Sequence, residues 1–158
     1  METALRITRE VFEERGIQFT PTEVYDTTQS IQDLYATGAK TYEEHIGDIF
    51  AYYIDHPTAA EVQELVFEYH WGAISSRPNL YAKSRAFCAL AAMTVQGRYD
   101  RQIRVRIEGA PKVGVTPNEI IQVFLQVMMY GGYVATSTVM QIAGSVFTER
   151  GLAVETGD

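Results

Sequence analysis

Apolar residues recur at intervals of three and four along most of the chain, which is the spacing of amphipathic helices. In the first third of the chain this pattern predicts helices over residues 3–15, 27–36 and 41–55. Gly16 and Gly38 follow the first two of these segments and are expected to end them. The start of the chain is therefore predicted to be helical.

A histidine–proline pair separates the third of these helices from the next. Proline disfavours helical backbone in the residue before it, so the helix is expected to break at His56, before Pro57. A new helix is predicted to begin near Ala59, to end at Trp71-Gly72 and to be followed by a loop. Its predicted buried face consists of Val62, Leu65, Val66 and Tyr69.

The second half of the chain is more apolar, and an alanine-rich helix is predicted over residues 81–96. Thr116-Pro117-Asn118-Glu119 has the residues of a helix start, because it offers a threonine cap, a proline in the first turn and a glutamate three residues after the cap. The helix that follows, over residues 117–130, is apolar nearly all round, which predicts that a second subunit covers part of it. A last helix is predicted over residues 133–150, with Gly151 as its stop signal.

One segment has the pattern of a strand. Residues 102–108 alternate strictly between polar and apolar types. No other segment offers a partner strand, and an isolated strand is not stable, so a helix is predicted here too. The 158 residues are therefore predicted to form a single all-α domain, residues 1–158, built as a compact bundle of about seven or eight helices.

Composition and charge narrow the class of partner. The net charge of −7 and the pI near 5.0 give a surface that repels phosphate backbones and anionic lipids, so neither nucleic acid nor membrane is an expected partner. The N-terminal residues lack the basic and apolar regions of a signal peptide, so the protein is expected to be cytoplasmic. The single cysteine, Cys88, lies in an apolar run and is expected to be buried.

The sequence predicts neither a metal nor an organic cofactor. Its histidines, His45, His56 and His70, do not have the spacing of a metal site. There is no Gly-rich phosphate loop and no Cys-x-x-Cys pair. His45 is expected at the surface and His56 at the end of a helix.

Several short motifs occur in a fixed order after the middle of the chain. They are Trp71-Gly72 before Arg77-Pro78-Asn79-Leu80, then Lys83-Ser84-Arg85, then Gly114-Val115-Thr116-Pro117-Asn118-Glu119-Ile120, and last Tyr130-Gly131-Gly132-Tyr133. In order and spacing they resemble the carboxymuconolactone decarboxylase family, which is part of the alkylhydroperoxidase D-like superfamily. The resemblance covers residues 67–152, whereas the N-terminal region, residues 1–60, is similar only in being helical.

This resemblance implies an all-α fold that assembles as homotrimers or homohexamers, with active sites near the contacts between subunits. It also implies catalysis by side chains alone, without a cofactor. The member that gives the family its name is a lyase that decarboxylates a small carboxylated lactone in aromatic degradation.

The sequence departs from the family pattern at positions that matter for catalysis. Where the family has an acidic residue and, four residues later, a histidine, this chain has Gln102 and Arg106. A further family glutamate is replaced by Gln122. The peroxidase branch of the superfamily needs a Cys-x-x-Cys pair, which this sequence lacks, so a peroxidase is not expected.

Arg106 is the candidate for binding an anionic group of the substrate. It shares a helix face with Gln102, and its planar guanidinium suits a carboxylate. The alternative is a solvated basic face in which the arginines contact water or pair with Glu108. That face would consist of Arg98, Arg101, Arg104 and Arg106.

Proton transfer is assigned to His70 or Glu68, because a histidine titrates near the working pH. The alternative for His70 is a helix-end residue that the helix dipole favours. Trp71 and Tyr130 are expected to wall the pocket. The remaining candidates for contact with substrate are Arg77, Gln102 and Gln122. For Gln122 and Tyr130 the alternative is a solvated helix face.

Two hypotheses about function stay open at this point. In the first, the protein is a cofactor-free lyase or isomerase that performs acid–base chemistry on a small, cyclic, carboxylated or enolisable molecule, most simply an anion. In the second, it is a divergent relative that binds a ligand or has a structural role without catalysis, which would fit the replacement of the family's acid and histidine.

Overall fold

The structure is a computed structural model, and it describes residues 2–18, 28–47, 59–78 and 80–155. Within these ranges the chain forms seven α-helices and no strand. They are α1 (Glu2–Glu14), α2 (Ile31–His45), α3 (Ala60–Leu65), α4 (Ala82–Gln96), α5 (Asp100–Gly109), α6 (Pro117–Gly131) and α7 (Tyr133–Arg150). A π-helix, Val66–Ser75, continues α3 without a break, and a 3-10 turn, Ala110–Val113, follows α5. The predicted all-α fold is confirmed, and residues 102–108 are helical as predicted because they lie within α5.

Local signals fix the bounds of the last two helices. The hydroxyl of Thr116 accepts a hydrogen bond from the backbone N–H of Glu119 at 3.2 Å, and the Glu119 carboxylate accepts one from the N–H of Thr116 at 2.9 Å. This reciprocal pair satisfies two donors that would otherwise be unpaired at the start of α6. Gly151 ends α7 with a left-handed φ of 64°.

The helices α4 to α7 enclose the main hydrophobic core. Its largest fully buried side chains include Leu90, Ile103, Ile107, Ile120, Phe124 and Val146. The prediction that Cys88 is buried is wrong, because Cys88 is exposed. It lies two residues before the buried Leu90, and residues two apart on an α-helix point to nearly opposite sides.

A second, smaller core holds α2 against the π-helix. Tyr42 and Ile46 pack on Phe67 and Trp71, and the rings of Tyr42 and Trp71 meet edge to face with centroids 5.0 Å apart. This small core fixes the position of Trp71, whose side chain is buried. The site described below is built around that indole.

The sequence predicts that Gly38 ends a helix, but this glycine lies inside the continuous helix α2. A Cβ at Gly38 would collide with the backbone carbonyl of Phe67, and a Cβ at Gly72 would collide with the carbonyl of Leu34. The two glycines therefore let the backbones of α2 and the π-helix touch. Residues 48–55 of the predicted helix over residues 41–55, and the break predicted at His56, lie outside the described part of the chain.

The buried face predicted for the helix after Ala59 is also wrong. Leu65 and Tyr69 are 62% and 64% exposed, while Phe67 and Trp71 are buried instead. The helix does not end at Gly72 but continues to Ser75. From Val66 onward its turns are wider than those of an α-helix, so the α-helical period does not identify the face that packs on α2.

Ion pairs connect α5 to α7. The Glu108 carboxylate, only 6% exposed, lies 3.0 Å from Arg104 Nε and 3.0 Å from an Arg150 nitrogen. Arg104 also pairs with Glu149. Arg104 therefore pairs with Glu108, as the alternative interpretation of the arginines proposed.

Helix α6 leaves a large apolar surface uncovered in a single chain. Met129 and Tyr130 are 77% and 80% exposed, and Tyr133 and Val134 beside them are also exposed. We expect a homotrimer or homohexamer that covers this surface. Light scattering should then give a multiple of the 17.7 kDa chain mass, and the mass of one chain at micromolar concentration would contradict the expectation.

No helix in the described ranges is long and apolar enough to cross a membrane.

Candidate functional site

A cavity of about 430 Å³ opens beside Trp71, between α2, the α3 and π-helical segment, and α5. Most of its wall is apolar. The apolar and aromatic lining residues are Tyr42, Ile46, Ala59, Val62, Val66, Trp71, Met93 and Val105. Among the described lining residues the polar ones are Gln63, His70, Gln102 and Arg106. An apolar cavity with a small number of polar groups is the usual form of a site for a small organic molecule.

His70, Trp71 and Arg106 form a compact cluster at the wall of this cavity. Nη2 of Arg106 lies 3.1 Å from Nε2 of His70. A guanidinium can only donate, so Nε2 accepts, and the ring of His70 is neutral with its proton on Nδ1. The guanidinium carbon of Arg106 also lies 4.7 Å from the centre of the Trp71 ring, within range of a cation–π contact.

The surroundings of His70 favour its neutral form. Partial burial lowers its pKa from the usual 6.5, and the positive charges of Arg106 and Arg85 lower it further. Although one side of the ring remains open to solvent, His70 is therefore a proton acceptor at neutral pH. The cluster thus places a free-base imidazole and a permanent cation at the same end of an apolar cavity.

A second histidine, His45, also contacts Trp71. The ring of His45 meets the indole at 5.8 Å between centroids. Burial lowers the pKa of His45, the negative charge of Glu44 opposes this, and the charges of Arg106 and Arg85 lower the pKa further. His45 and Arg85 line a narrow cleft of about 20 Å³ that also contacts Trp71 and Arg106. The prediction of a surface position for His45 is wrong, because His45 is half-buried against the indole.

Arg85 is held in place by backbone carbonyls. Its Nε donates to the carbonyl of Leu80 at 3.0 Å, and its Nη2 donates to the carbonyl of Arg77 at 2.9 Å. These bonds fix the guanidinium at the cleft, where its charge acts on both histidines. Arg85 therefore tunes the site without lining the large cavity.

The structure brings four of the predicted site residues together and leaves four apart. His70, Trp71, Gln102 and Arg106 line the cavity. Glu68 is half-buried and Gln122 and Tyr130 are exposed on α6, and the described lining of the cavity includes none of them. Arg77 donates from Nε to the carbonyl of Ala73 at 2.7 Å and borders a separate polar cavity. Roles for these four residues in substrate binding or catalysis stay predictions.

Sequence reasoning missed Gln63, His45 and Arg85. Gln63 precedes Val66 and His70 by three and seven residues, so the spacing of a single helix face could have connected it to His70. His45 carries no such signal, because its place beside Trp71 depends on how α2 packs. Arg85 belongs to the motif Lys83-Ser84-Arg85, but its place in the cleft depends on how α4 packs. Within the described ranges, no three His, Cys, Asp or Glu side chains converge as a metal site would require.

The structure is thus that of an all-α protein with a histidine–arginine cluster at the wall of an apolar cavity. The sequence profile of the carboxymuconolactone decarboxylase family matches residues 60–144, which is more than half of the chain and includes all the described lining residues of the cavity except Tyr42, Ile46 and Ala59. The chain belongs to this family.

Two relatives illustrate the similarity. The 4-carboxymuconolactone decarboxylase of Acinetobacter baylyi is 30% identical over 95 residues, which cover 60% of this chain and 70% of that protein. An uncharacterised 15.0 kDa protein of Paracoccus denitrificans is 34% identical over 86 residues. That match covers 54% of this chain. It covers 64% of the relative, which is just under two thirds of its length.

Proposed function

We propose that the protein is an acid–base enzyme, a lyase or isomerase, that acts on a cyclic molecule with an enolisable or carboxylated carbon. The observation that carries this proposal is the contact of 3.1 Å between His70 Nε2 and Arg106 at the wall of the apolar cavity. A neutral imidazole can move a proton, and the neighbouring guanidinium can stabilise the negative charge that the movement creates. The similarity to a decarboxylase supports the same class of chemistry.

The role of Arg106 follows from where charge develops in the reaction. When a carboxylate leaves as carbon dioxide, its negative charge moves to the rest of the molecule and collects on a carbonyl oxygen as an enolate. An arginine bound to the departing carboxylate would stabilise the starting state and slow the reaction. We therefore assign Arg106 to the carbonyl oxygen that becomes the enolate, where its charge favours the transition state.

His70 would move the proton. Once a substrate oxygen accepts from Arg106, Nε2 of His70 is released and can take a proton from the carbon next to the carbonyl. The electron pair of the broken C–H bond goes to the enolate, and the imidazolium then returns the proton to another carbon as the carbonyl re-forms. The result is an isomerisation that consumes nothing.

Decarboxylation would use the same groups in a different order. The bond to the carboxylate breaks, carbon dioxide leaves, and the electron pair remains as the enolate. The imidazolium of His70 then protonates the carbon, so one proton from solvent is consumed in each turnover. Because His70 is neutral in the free protein, this route requires that the bound anion first raises its pKa.

The test is to add a carboxylated unsaturated lactone to the wild-type protein and to His70→Asn. This is the type of compound that occurs in the name of the Acinetobacter relative. Release of carbon dioxide identifies a lyase, and a shift in ultraviolet absorbance without its release identifies an isomerase. Either activity should fall by about a hundredfold or more in His70→Asn, which is the usual contribution of a general acid or base. Equal activity in both proteins would contradict the role of His70.

A second candidate function is ligand binding without catalysis. The observation that favours it is that Gln102 and Arg106 occupy the cavity positions where the family pattern has an acid and a histidine. In that case the protein would bind an anionic cyclic molecule in the same cavity and leave it unchanged. Binding without turnover in the experiment above would support this candidate.

The pH dependence of His70 gives a further prediction. Because burial and then Arg106 lower its pKa, nuclear magnetic resonance titration of the His70 ring should give a value below 6.5 in the wild type. In Arg106→Ala the pKa should be higher, because a repelling charge is removed. If the protein is an isomerase, its kcat/KM should rise with pH through the pKa of His70 and then level off, because the neutral imidazole is the base. If it is a decarboxylase, its kcat/KM should fall through the same pKa, because the imidazolium is the acid. An unchanged pKa in Arg106→Ala would contradict the electrostatic contact.

A further inference from the structure

Gln63 places an unpaired polar group in the wall of the cavity. Its side-chain amide nitrogen, Nε2, is buried and has no hydrogen-bond partner in the part of the chain that the structure describes. Gln63 lines the same cavity as His70 and Arg106. A buried amide without any partner is costly, and in native proteins such a group is normally satisfied by the protein, by an ordered water or by a ligand.

Gln63 and His70 mark two separate polar positions along one wall. They are seven residues apart on a continuous helical segment, which is at most roughly 10 Å at the α-helical rise of about 1.5 Å per residue, because the wider π-helical turns rise less. The wall between them is apolar, because Val66 lies between the two on the same cavity. Tyr42 and Ile46 of α2 form part of the wall as well. Along this wall, an apolar stretch therefore separates the hydrogen-bonding group of Gln63 from that of His70.

The volume of the cavity indicates the size of the ligand. A cavity of roughly 150 Å³ is enough to bind benzene. The cavity of about 430 Å³ beside Trp71 is nearly three times as large. A ligand with a single small ring would leave much of the apolar wall in contact with water, so a larger ligand fits the site better.

We propose that the site takes a largely apolar molecule of at least two fused rings, with its anionic or enolisable group at Arg106 and an oxygen that accepts a hydrogen bond from Gln63. The assignment of the first group to Arg106 rests on the proposed function. The size of the ligand and the role of Gln63 rest on the volume of the cavity and the unpaired amide. Gln63 is then a specificity-determining residue that distinguishes ligands by their far end.

Calorimetric titration with a matched series of probes tests this proposal. The probes are benzoate, naphthoate, and naphthoate that carries an acetyl group at the far end of its second ring. The wild type should bind naphthoate about tenfold or more tightly than benzoate, because the second ring buries additional apolar surface. The acetyl group should add a further factor of about five, which is typical of one net hydrogen bond.

Gln63→Leu should remove only the last of these gains. It should weaken the acetylated probe by about fivefold and bind plain naphthoate as tightly as the wild type or more tightly, because leucine leaves no amide unpaired. The melting temperature of the unliganded protein should rise for the same reason. Gln141→Leu, an exposed glutamine on α7, is the matched control and should change none of these affinities.

The possible failures are distinguishable from one another. If benzoate binds as tightly as naphthoate, or if neither naphthoate binds, the proposed ligand size is overturned. If Gln63→Leu changes the affinities for both naphthoates equally, the role of Gln63 is overturned. If the probes behave as expected but His70→Asn has no effect on turnover of any enolisable compound, the proposed catalysis fails while the ligand class stands.

Discussion

Arg106→Ala is expected to weaken the binding of naphthoate by about 2–4 kcal/mol, or roughly thirtyfold to several hundredfold. The guanidinium lies over the Trp71 ring at the wall of the cavity, and its nitrogen already contacts His70 within 3.1 Å. The carboxylate of the probe takes the place of the enolate oxygen and gains a charge-assisted hydrogen bond there. Alanine removes both the charge and the bond.

Two arginine variants serve as controls for this measurement. Arg98→Ala changes an exposed arginine outside the cavity lining and should leave the affinity unchanged. Arg104→Ala breaks the ion pairs with Glu108 and Glu149, so it should lower stability with little effect on the affinity of the folded protein. An affinity in Arg106→Ala within twofold of the wild type would show that the guanidinium does not contact the anion.

Gly72→Ala is expected to destabilise the protein by about 3 kcal/mol or more, at or beyond the upper end for overpacking. The added methyl group would collide with the backbone carbonyl of Leu34, and a backbone atom cannot move aside as the end of a flexible side chain can. Helix α2 would have to separate from the π-helix, which would also disturb the packing of Trp71.

The matched control is Gly144→Ala on α7. This glycine also lies within a helix, but a Cβ there would meet nothing within 4 Å. Alanine should stabilise the protein by about 0.5–1 kcal/mol, because glycine loses more conformational freedom when a helix forms. Free energies of unfolding from urea titrations measure both changes. A loss below about 1 kcal/mol for Gly72→Ala would argue against direct contact between the two backbones.

Those parts of the fold that depend on local chemistry could be predicted from the sequence. The start of α6 follows from Thr116 and Glu119, and the end of α7 follows from Gly151. Gly38 shows why the rest could not. A glycine that ends a helix and a glycine that lets two helices touch are the same residue in the sequence, and only the position of Phe67 distinguishes them.

The candidate site divides in the same way. His70, Trp71, Gln102 and Arg106 could be selected because they lie at or beside positions that the family motifs mark. Gln63 and His45 lie outside those motifs and join the site only through the packing of α2 and α3. Tyr130 carries a motif signal, but the packing of a single chain leaves it exposed on α6.

Hydrogen–deuterium exchange tests the central claim, that His70 and Arg106 together move a proton at a carbon next to a carbonyl. The probe is tetralone, a bicyclic ketone with acidic C–H groups beside its carbonyl, dissolved in deuterated buffer and followed by nuclear magnetic resonance. We expect exchange to be about a hundredfold or more faster with the wild-type protein than with His70→Asn, and a similar loss in Arg106→Ala. Exchange at the same rate with the wild type, with His70→Asn and in buffer alone would contradict it.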